Sequence, residues 1–339
     1  MLIRSLAPII SALMLAGLVT TINQNASTTP ALPEGFAPLG EMATSTPETK
    51  LPEKKETPKL SERAKLTAAG GDLLKAVVNI YCVADPSAPF RGTSGSGVIM
   101  DERGLILTAS HVAQLFLLED YPKKDTVRCV IRTGGPAQDA YTAEVAYLSP
   151  SWVKDNARTL SEMNPRGNGQ HDFAVLAITG SANAFPLPSK FAYMPLSEDG
   201  FKVGDRVAIG GYAAQFLGAE QIRSMLYPIV VFDEIADQYT FGKQAVDVFS
   251  ISGTAAAQGG ASGGGIASSD GELLGLIANA SVGDMELNAI TAAHIRSSFK
   301  ADMRTDFDRY FSSRSIEELI QDFAPTASEL RRMITSTFK

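Results

Sequence analysis

Gly92-Thr-Ser-Gly-Ser-Gly-Val-Ile-Met-Asp-Glu-Arg-Gly-Leu-Ile-Leu-Thr-Ala-Ser-His111 holds two short apolar runs, Ser96–Met100 and Leu105–Thr108, parted by a polar turn and closed by a histidine. Runs of this length, rich in Val, Ile and Tyr and bounded by Gly, Asp or Asn, are strand signals. The pattern recurs outward in both directions. Lys75–Val83 precedes it, and Val127–Arg132, Thr142–Leu148, Phe173–Ile178, Arg206–Ile209, Tyr227–Phe232, Ala245–Phe249, Glu272–Ala278 and Leu287–Thr291 follow. Many short strands with few helical periods between them predict closed barrels or sandwiches rather than an alternating parallel sheet. Phe185-Pro-Leu-Pro-Ser189 divides the strands into two groups, about 66–185 and 196–295.

The chain has 339 residues, 45% hydrophobic and 20% charged, the balance of a globular protein with a real core. A net charge of -7 lacks the basic footprint of a nucleic-acid binder, so no nucleic-acid partner is expected. Two cysteines, Cys82 and Cys129, exclude both a disulfide scaffold and a four-cysteine zinc ribbon.

Ser5 to Ile22 carries no charge, and as a helix would be roughly 27 Å long, close to the thickness of a bilayer's hydrocarbon layer. Arg4 is the only charge before it and no Lys or Arg follows until Lys50, which predicts export of everything beyond Ile22. Residues 1–22 are therefore expected to be a signal-anchor or a signal peptide, with no Ala-x-Ala cleavage site evident. Residues 23–60, with six prolines and six threonines, have too little apolar surface to repay ordering and are read as a disordered tether. Near the other end, Ser315-Ile-Glu-Glu318 and Thr326-Ala-Ser-Glu329 carry the capping-box pattern and predict two short C-terminal helices in a tail over 311–339.

Three short segments carry chemistry. In Gln258-Gly-Gly-Ala-Ser-Gly-Gly-Gly-Ile266, glycines allow Ser262 a sharp turn with an exposed hydroxyl, and the N–H groups of Gly260 and Ser262 can converge on an oxyanion. Alone, the segment is equally a flexible loop; no lysine follows the glycines, as a phosphate loop requires. A serine nucleophile needs a base within hydrogen-bond reach. His111 ends an apolar strand, although a histidine there also serves as a structural residue. Asp172, leading into the apolar run Phe173–Ile178, needs a donor partner, and an imidazole N–H supplies one while fixing its tautomer.

In the order His111, Asp172, Ser262, the chain resembles the trypsin-like (chymotrypsin-fold) serine peptidases. Thr108-Ala-Ser-His111, His171-Asp-Phe-Ala-Val-Leu176 and Gly260-Ala-Ser-Gly-Gly264 resemble that family's three motifs. Gly92-Thr-Ser-Gly-Ser-Gly-Val-Ile99 is similar to the Gly-Ser-Gly strand of the bacterial HtrA/Deg branch, here without a PDZ domain. The resemblance implies an all-β fold of two six-stranded antiparallel β-barrels with the site in the cleft between them, over a peptidase domain at about 66–310. It implies His111 as base and acid, Asp172 as its support, Ser262 as nucleophile, and Gly260 and Ser262 as the oxyanion hole. It implies no metal and no cofactor, protein or peptide substrates, and a bacterial cell-envelope location. It also places Cys82 and Cys129 on neighbouring strands, where they stand either as a disulfide or as two buried thiols. Ala256, Ala257 and Asn279 fall at the specificity pocket, and with no acidic residue there a small or medium apolar side chain is the expected preference. The oligomeric state is left open.

Several departures matter. Ala261 replaces the aspartate of the zymogen switch, Gly265 replaces a proline and is expected to loosen the turn, and Ser149 to Gln170 is read as a long loop over the cleft. Two rivals remain beside a serine endopeptidase. One is an inactive, peptidase-shaped binding module. The other is an α/β-hydrolase using Ser262 with Asp284 and His294, which leaves His111 and Asp172 unused.

Overall fold

The computed structural model describes residues 61–161, 169–242, 245–281 and 286–338, without the side chains of 279–281; the expected anchor and tether at 1–60 lie outside them. Among the described residues, no helix is long and apolar enough to cross a membrane.

The described chain opens on a helix, α1 (Glu62–Ala76), started by Ser61, whose hydroxyl accepts from the Ala64 N–H at 3.3 Å. It consumes the first two residues of the expected strand Lys75–Val83. Leu66, Ala69, Leu73 and Ala76 form its buried stripe, and this wedge packs with Val98 of the first half and Ala208 and Leu273 of the second. Burial of that stripe carries the helix through Gly70-Gly71, which intrinsic propensity disfavours.

The first half comprises β1 (Val77–Ala84), β2 (Thr93–Ile99), β3 (Leu105–Thr108), β4 (Val127–Thr133), β5 (Gln138–Leu148) and β6 (Ala174–Ser181). They close into an antiparallel barrel in the order β1-β2-β3-β6-β5-β4. Leu105-Ile-Leu-Thr108 is buried on every residue, as expected of a strand covered on both faces. Cys82 stands opposite Cys129 in the β1–β4 ladder and the two are joined as a disulfide. Between strands lie two short helices, α2 (Ser110–Ala113) and α3 (Pro150–Asn156). The stretch read as a long loop therefore begins as a helix, and 162–168 of it lie outside the described residues.

The second half has β7 (Arg206–Gly211), a short helix α4 (Ala219–Ser224), β8 (Ile229–Glu234), β9 (Asp237–Tyr239), β10 (Val248–Ile251), β11 (Gly265–Ala267), β12 (Leu273–Ser281) and β13 (Glu286–Thr291). The expected second six-stranded barrel is not formed as such. These strands make an open seven-stranded sheet, half of a barrel, in the order β8-β7-β11-β12-β13-β10-β9. The chain bends at Ile235-Ala236, so β8 pairs with β7 while β9 pairs with β10. At the bend the Ile235 N–H goes to Asp205 O at 3.0 Å and the Ala236 N–H to Ser250 O at 2.8 Å. Single hydrogen bonds thus replace the ladder that would close the sheet.

Three helices follow: α5 (Ala292–Met303), α6 (Phe307–Ser312) and α7 (Ile316–Thr335). The tail is not two short helices. Ser315 does form its capping box, but the second box lies inside α7, which runs on through Pro325. An interior proline costs about 3 kcal/mol. Against it stands one buried face, Leu319, Phe323, Leu330 and Ile334, each contributing roughly 1.5–3 kcal/mol, so packing wins. That face covers the first barrel, with the Phe323 ring 5.7 Å from Tyr147. Asp302 of α5 ties the same region together by accepting from Tyr147 OH at 2.9 Å and from Ser149 and Ser151 hydroxyls at 3.0 and 2.6 Å.

Candidate active site

His111 and Asp172 meet because β3 and β6 are neighbours. Thr108 pairs with Ala174, so the turn leaving β3 and the turn entering β6 lie side by side. His111 sits in α2, and the Ser110 hydroxyl before it donates to Phe173 O at 2.7 Å, fastening one turn to the other. Asp172, only 5% exposed, accepts from the His111 backbone N–H at 3.0 Å with Oδ1 and bonds His111 Nδ1 at 2.7 Å with Oδ2. Both carboxylate oxygens are therefore used on one residue. The Asp172 turn is tight: its N–H reaches Gly169 O at 3.2 Å, and His171 takes a left-handed φ of 60°.

Burial pulls the His111 pKa down, but the charge of Asp172 and its hydrogen bond outweigh burial and hold it above the ordinary 6.5. The side chain is 36% exposed. Among the described residues Nε2 has no hydrogen-bond partner, and no hydrogen bond joins it to the Ser262 hydroxyl. Such contacts are often long before substrate binds.

Ser262 precedes β11, in a loop docked on the first barrel. Its carbonyl accepts from the Ser96 N–H at 2.8 Å, and the Ser96 carbonyl in turn accepts from the Thr108 hydroxyl at 2.7 Å. Thr108 is three residues from His111, so two hydrogen bonds tie the serine loop to the strand that presents the histidine. The approach is close enough to require glycine at 263, where a Cβ would collide with the Ser96 carbonyl. Gly260 has φ +93°, again a glycine conformation, and among the described residues neither its N–H nor that of Ser262 has an acceptor. Ala261 N–H goes to Gln258 O at 3.2 Å and Gly263 N–H to Ile277 O at 2.7 Å. Gly265 lies in the ladder opposite Gly210 and Leu276, so its turn is not loosened.

Ala256 and Ala257 are buried in the second sheet's apolar cluster, upstream of Ser262 on the same loop. Asn279 stands on β12 opposite Asn288, with its side chain outside the described residues. His294 is bonded through Nδ1 to Asp247 Oδ1 at 2.8 Å, and Asp284 lies outside the described residues. Ser262 leads into a strand rather than a helix, so the α/β-hydrolase elbow is absent here.

Two contributors escaped the sequence reading. The Ser96 hydroxyl lies between Gly260 O and the Tyr212 N–H. The Tyr212 phenol, which burial pushes up to about 12, donates to Gly134 O at 3.0 Å across the two halves. The glycines flanking Ser96 were the available signal, because they mark close packing, of Val112 on Gly95 and of Ile106 on Gly97.

A trypsin-like peptidase domain model matches residues 95–276, more than half of the chain, and the match contains His111, Asp172 and Ser262. Among solved structures, the chain is similar to the active form of the Rv3671c protease from M. tuberculosis, at 16% identity over 76% of this chain and 96% of that one, with a TM-score of 0.44. An inactive form of the Rv3671c protease matches at 14% identity over 69% and 92%, with a TM-score of 0.42. No curated protein matches the chain in sequence. With its match over more than half of the sequence, the chain belongs to the trypsin-like peptidase family.

Proposed function

We propose that the chain is a serine endopeptidase acting through His111, Asp172 and Ser262. The observation that carries this reading is the 2.7 Å bond from Asp172 to His111 Nδ1, which leaves Nε2 as the basic nitrogen on an imidazole beside the docked Ser262 loop. In this reading Nε2 takes the Ser262 proton as Oγ bonds to the scissile carbonyl carbon, and the oxygen's electron pair is received by the N–H groups of Gly260 and Ser262. As the tetrahedral centre collapses, the C–N bond breaks and His111 returns the proton to the leaving amine. A water deprotonated by the same nitrogen then attacks the acyl-enzyme and releases Ser262. Asp172 keeps the tautomer and supports the imidazolium throughout. Ala256, Ala257 and Asn279 belong to the specificity pocket in this scheme, favouring a small or medium apolar side chain.

The location is part of the proposal. Residues 1–22 hold or deliver the chain at a bacterial cell envelope, 23–60 tether it, and the peptidase domain at about 66–310 works on exported proteins outside the cytoplasm. The Cys82–Cys129 disulfide supports an oxidising compartment. A fluorophosphonate probe on the purified full-length chain tests the chemistry: the parent should label and Ser262→Ala should not. A folded parent that stays unlabelled, yet binds peptides, makes the chain a binding module instead.

A further inference from the structure

Ser96 is fully buried in β2, between Gly95 and Gly97, and every polar group it owns is spent on the serine loop or its supports. Its hydroxyl donates to Gly260 O at 2.7 Å and accepts from the Tyr212 N–H at 2.8 Å. Its N–H donates to Ser262 O at 2.8 Å, and its carbonyl accepts from Thr108 Oγ1 at 2.7 Å. The four carbonyls from Gly259 to Ser262 are all claimed. Gly259 O accepts from Ala214 N–H at 2.8 Å and Ala261 O from Gly264 N–H at 2.8 Å; Ser96 holds the other two. With the carbonyls turned to these partners, the N–H groups of Gly260 and Ser262 are the donors left over.

We propose that Ser96 is a positioning residue for the oxyanion hole, its hydroxyl fixing the Gly260–Ala261 peptide that links the two donor-bearing peptides, and thereby the angle between the Gly260 and Ser262 N–H groups. This rests on the serine-peptidase reading above. Gly260 lacks a Cβ and has no strong backbone preference of its own, so its orientation is imposed from outside. The Gly260–Ala261 peptide is held on its carbonyl by the Ser96 hydroxyl at 2.7 Å and on its N–H by the longer bond from Ala261 to Gln258 O at 3.2 Å. Loss of that hydroxyl leaves the peptide between the two donors on the Ala261–Gln258 bond alone. It leaves the Asp172–His111 bond intact.

The test uses the full-length chain, p-nitrophenyl acetate and a fluorophosphonate. Removing an oxyanion donor outright costs about 10²–10³ in rate, so misdirecting one in Ser96→Ala should slow acylation roughly 10–100-fold. The apparent affinity for the ester should stay within about twofold, and the rate of fluorophosphonate labelling should fall by the same factor as acylation. The acid limb of the pH–rate profile, which reads His111, should not move. Ser96→Cys keeps the side chain's size with a weaker donor and should fall between parent and Ser96→Ala, which keeps the proposal measurable if the alanine variant does not fold. Variants reacting at the parent rate overturn the role of Ser96 alone, as does a loss confined to ester affinity or accompanied by a displaced acid limb. A folded parent that reacts with neither reagent overturns the serine-peptidase reading, and the role of Ser96 with it.

Discussion

Two imidazole–carboxylate pairs lie among the described residues, joined by nearly the same bond. Asp172 holds His111 Nδ1 at 2.7 Å, and Asp247 holds His294 Nδ1 at 2.8 Å. Each carboxylate spends its second oxygen locally: Asp172 on the His111 N–H, Asp247 on the Thr240 hydroxyl at 3.0 Å and the Phe241 N–H at 2.7 Å. The difference lies at the far nitrogen. His111 has a side chain 36% exposed beside the Ser262 loop, whereas His294 is 6% exposed, packed against the Phe241 and His171 rings at 5.2 and 5.7 Å, with Nε2 buried and unpartnered. A carboxylate fixes a tautomer in both places. Access to a proton donor outside the pair separates a base from a brace.

The sharpest way to break that contrast is to remove each imidazole's chemistry. Ser262→Ala and His111→Ala should each cut turnover by a factor on the order of 10⁴–10⁶, measured by ester hydrolysis at fixed protein concentration. Next comes Asp172→Asn, which should cost about 10⁴ by supplying the wrong tautomer. Its pH behaviour has a definite sign. The parent loses activity as pH falls through a His111 pKa held above 6.5, because the base must be neutral. Without the carboxylate, burial acts alone and the acid limb should move to lower pH. Since the folded pKa is raised, the pair stabilises the fold fully at pH below the unfolded value and loses that contribution as pH rises through the folded one. Asp172→Asn should therefore lower Tm more at pH 5 than at pH 8.

The first pair was legible in the sequence and the second was not, for a physical reason. His111 follows one apolar run and Asp172 precedes another, and what singled them out was the order His111, Asp172, Ser262 that resembles the trypsin-like peptidases. Asp247 and His294 stand in the same local pattern, Asp247 before Val248–Ile251 and His294 three residues after Thr291, but no motif order singles them out, and they meet through the tertiary pairing of β10 with β13, which local pattern does not state. The same limit explains the misread helices. Gly70-Gly71 and Pro325 look like breaks until the burial of Leu73 and Phe323 is known, and that burial is tertiary. The family resemblance implied two six-stranded barrels, but a bend at Ile235-Ala236 leaves the second an open sheet, and nothing in those two residues marks the bend. For Ser96, the flanking glycines signalled close packing of side chains such as Val112 and Ile106, but not the serine loop that the Ser96 hydroxyl meets.

The second pair supplies the smaller effects, and they should appear in stability with ester turnover unchanged. Asp247→Asn removes a buried carboxylate that bonds His294, Phe241 and Thr240, bonds to a charged group being worth about 1.5–3 kcal/mol each, and should lower Tm at neutral pH. Burial raises the Asp247 pKa, but the bonds from His294, Phe241 and Thr240 outweigh it and leave it below the ordinary 3.8. A depressed folded pKa stabilises above the unfolded value and loses that contribution as pH falls through the folded one, so the Tm gap to Asp247→Asn should close below about pH 3.8. Thr240→Val removes one of the three supports together with the hydroxyl's exposed bonds to Gly242 O at 2.8 Å and from the Gly242 N–H at 3.0 Å. The expected loss is about 1–2 kcal/mol, since the Asp247 bond is worth about 0.5–1.5 and the exposed Gly242 groups turn to water. Equal ester rates for parent and variant, with a small fall in the denaturation midpoint, would place Asp247–His294 as a brace. A fall in rate without a fall in stability would mean that this pair reaches the active site, through the contact of His294 with His171 beside Asp172, and the division between base and brace would have to be redrawn.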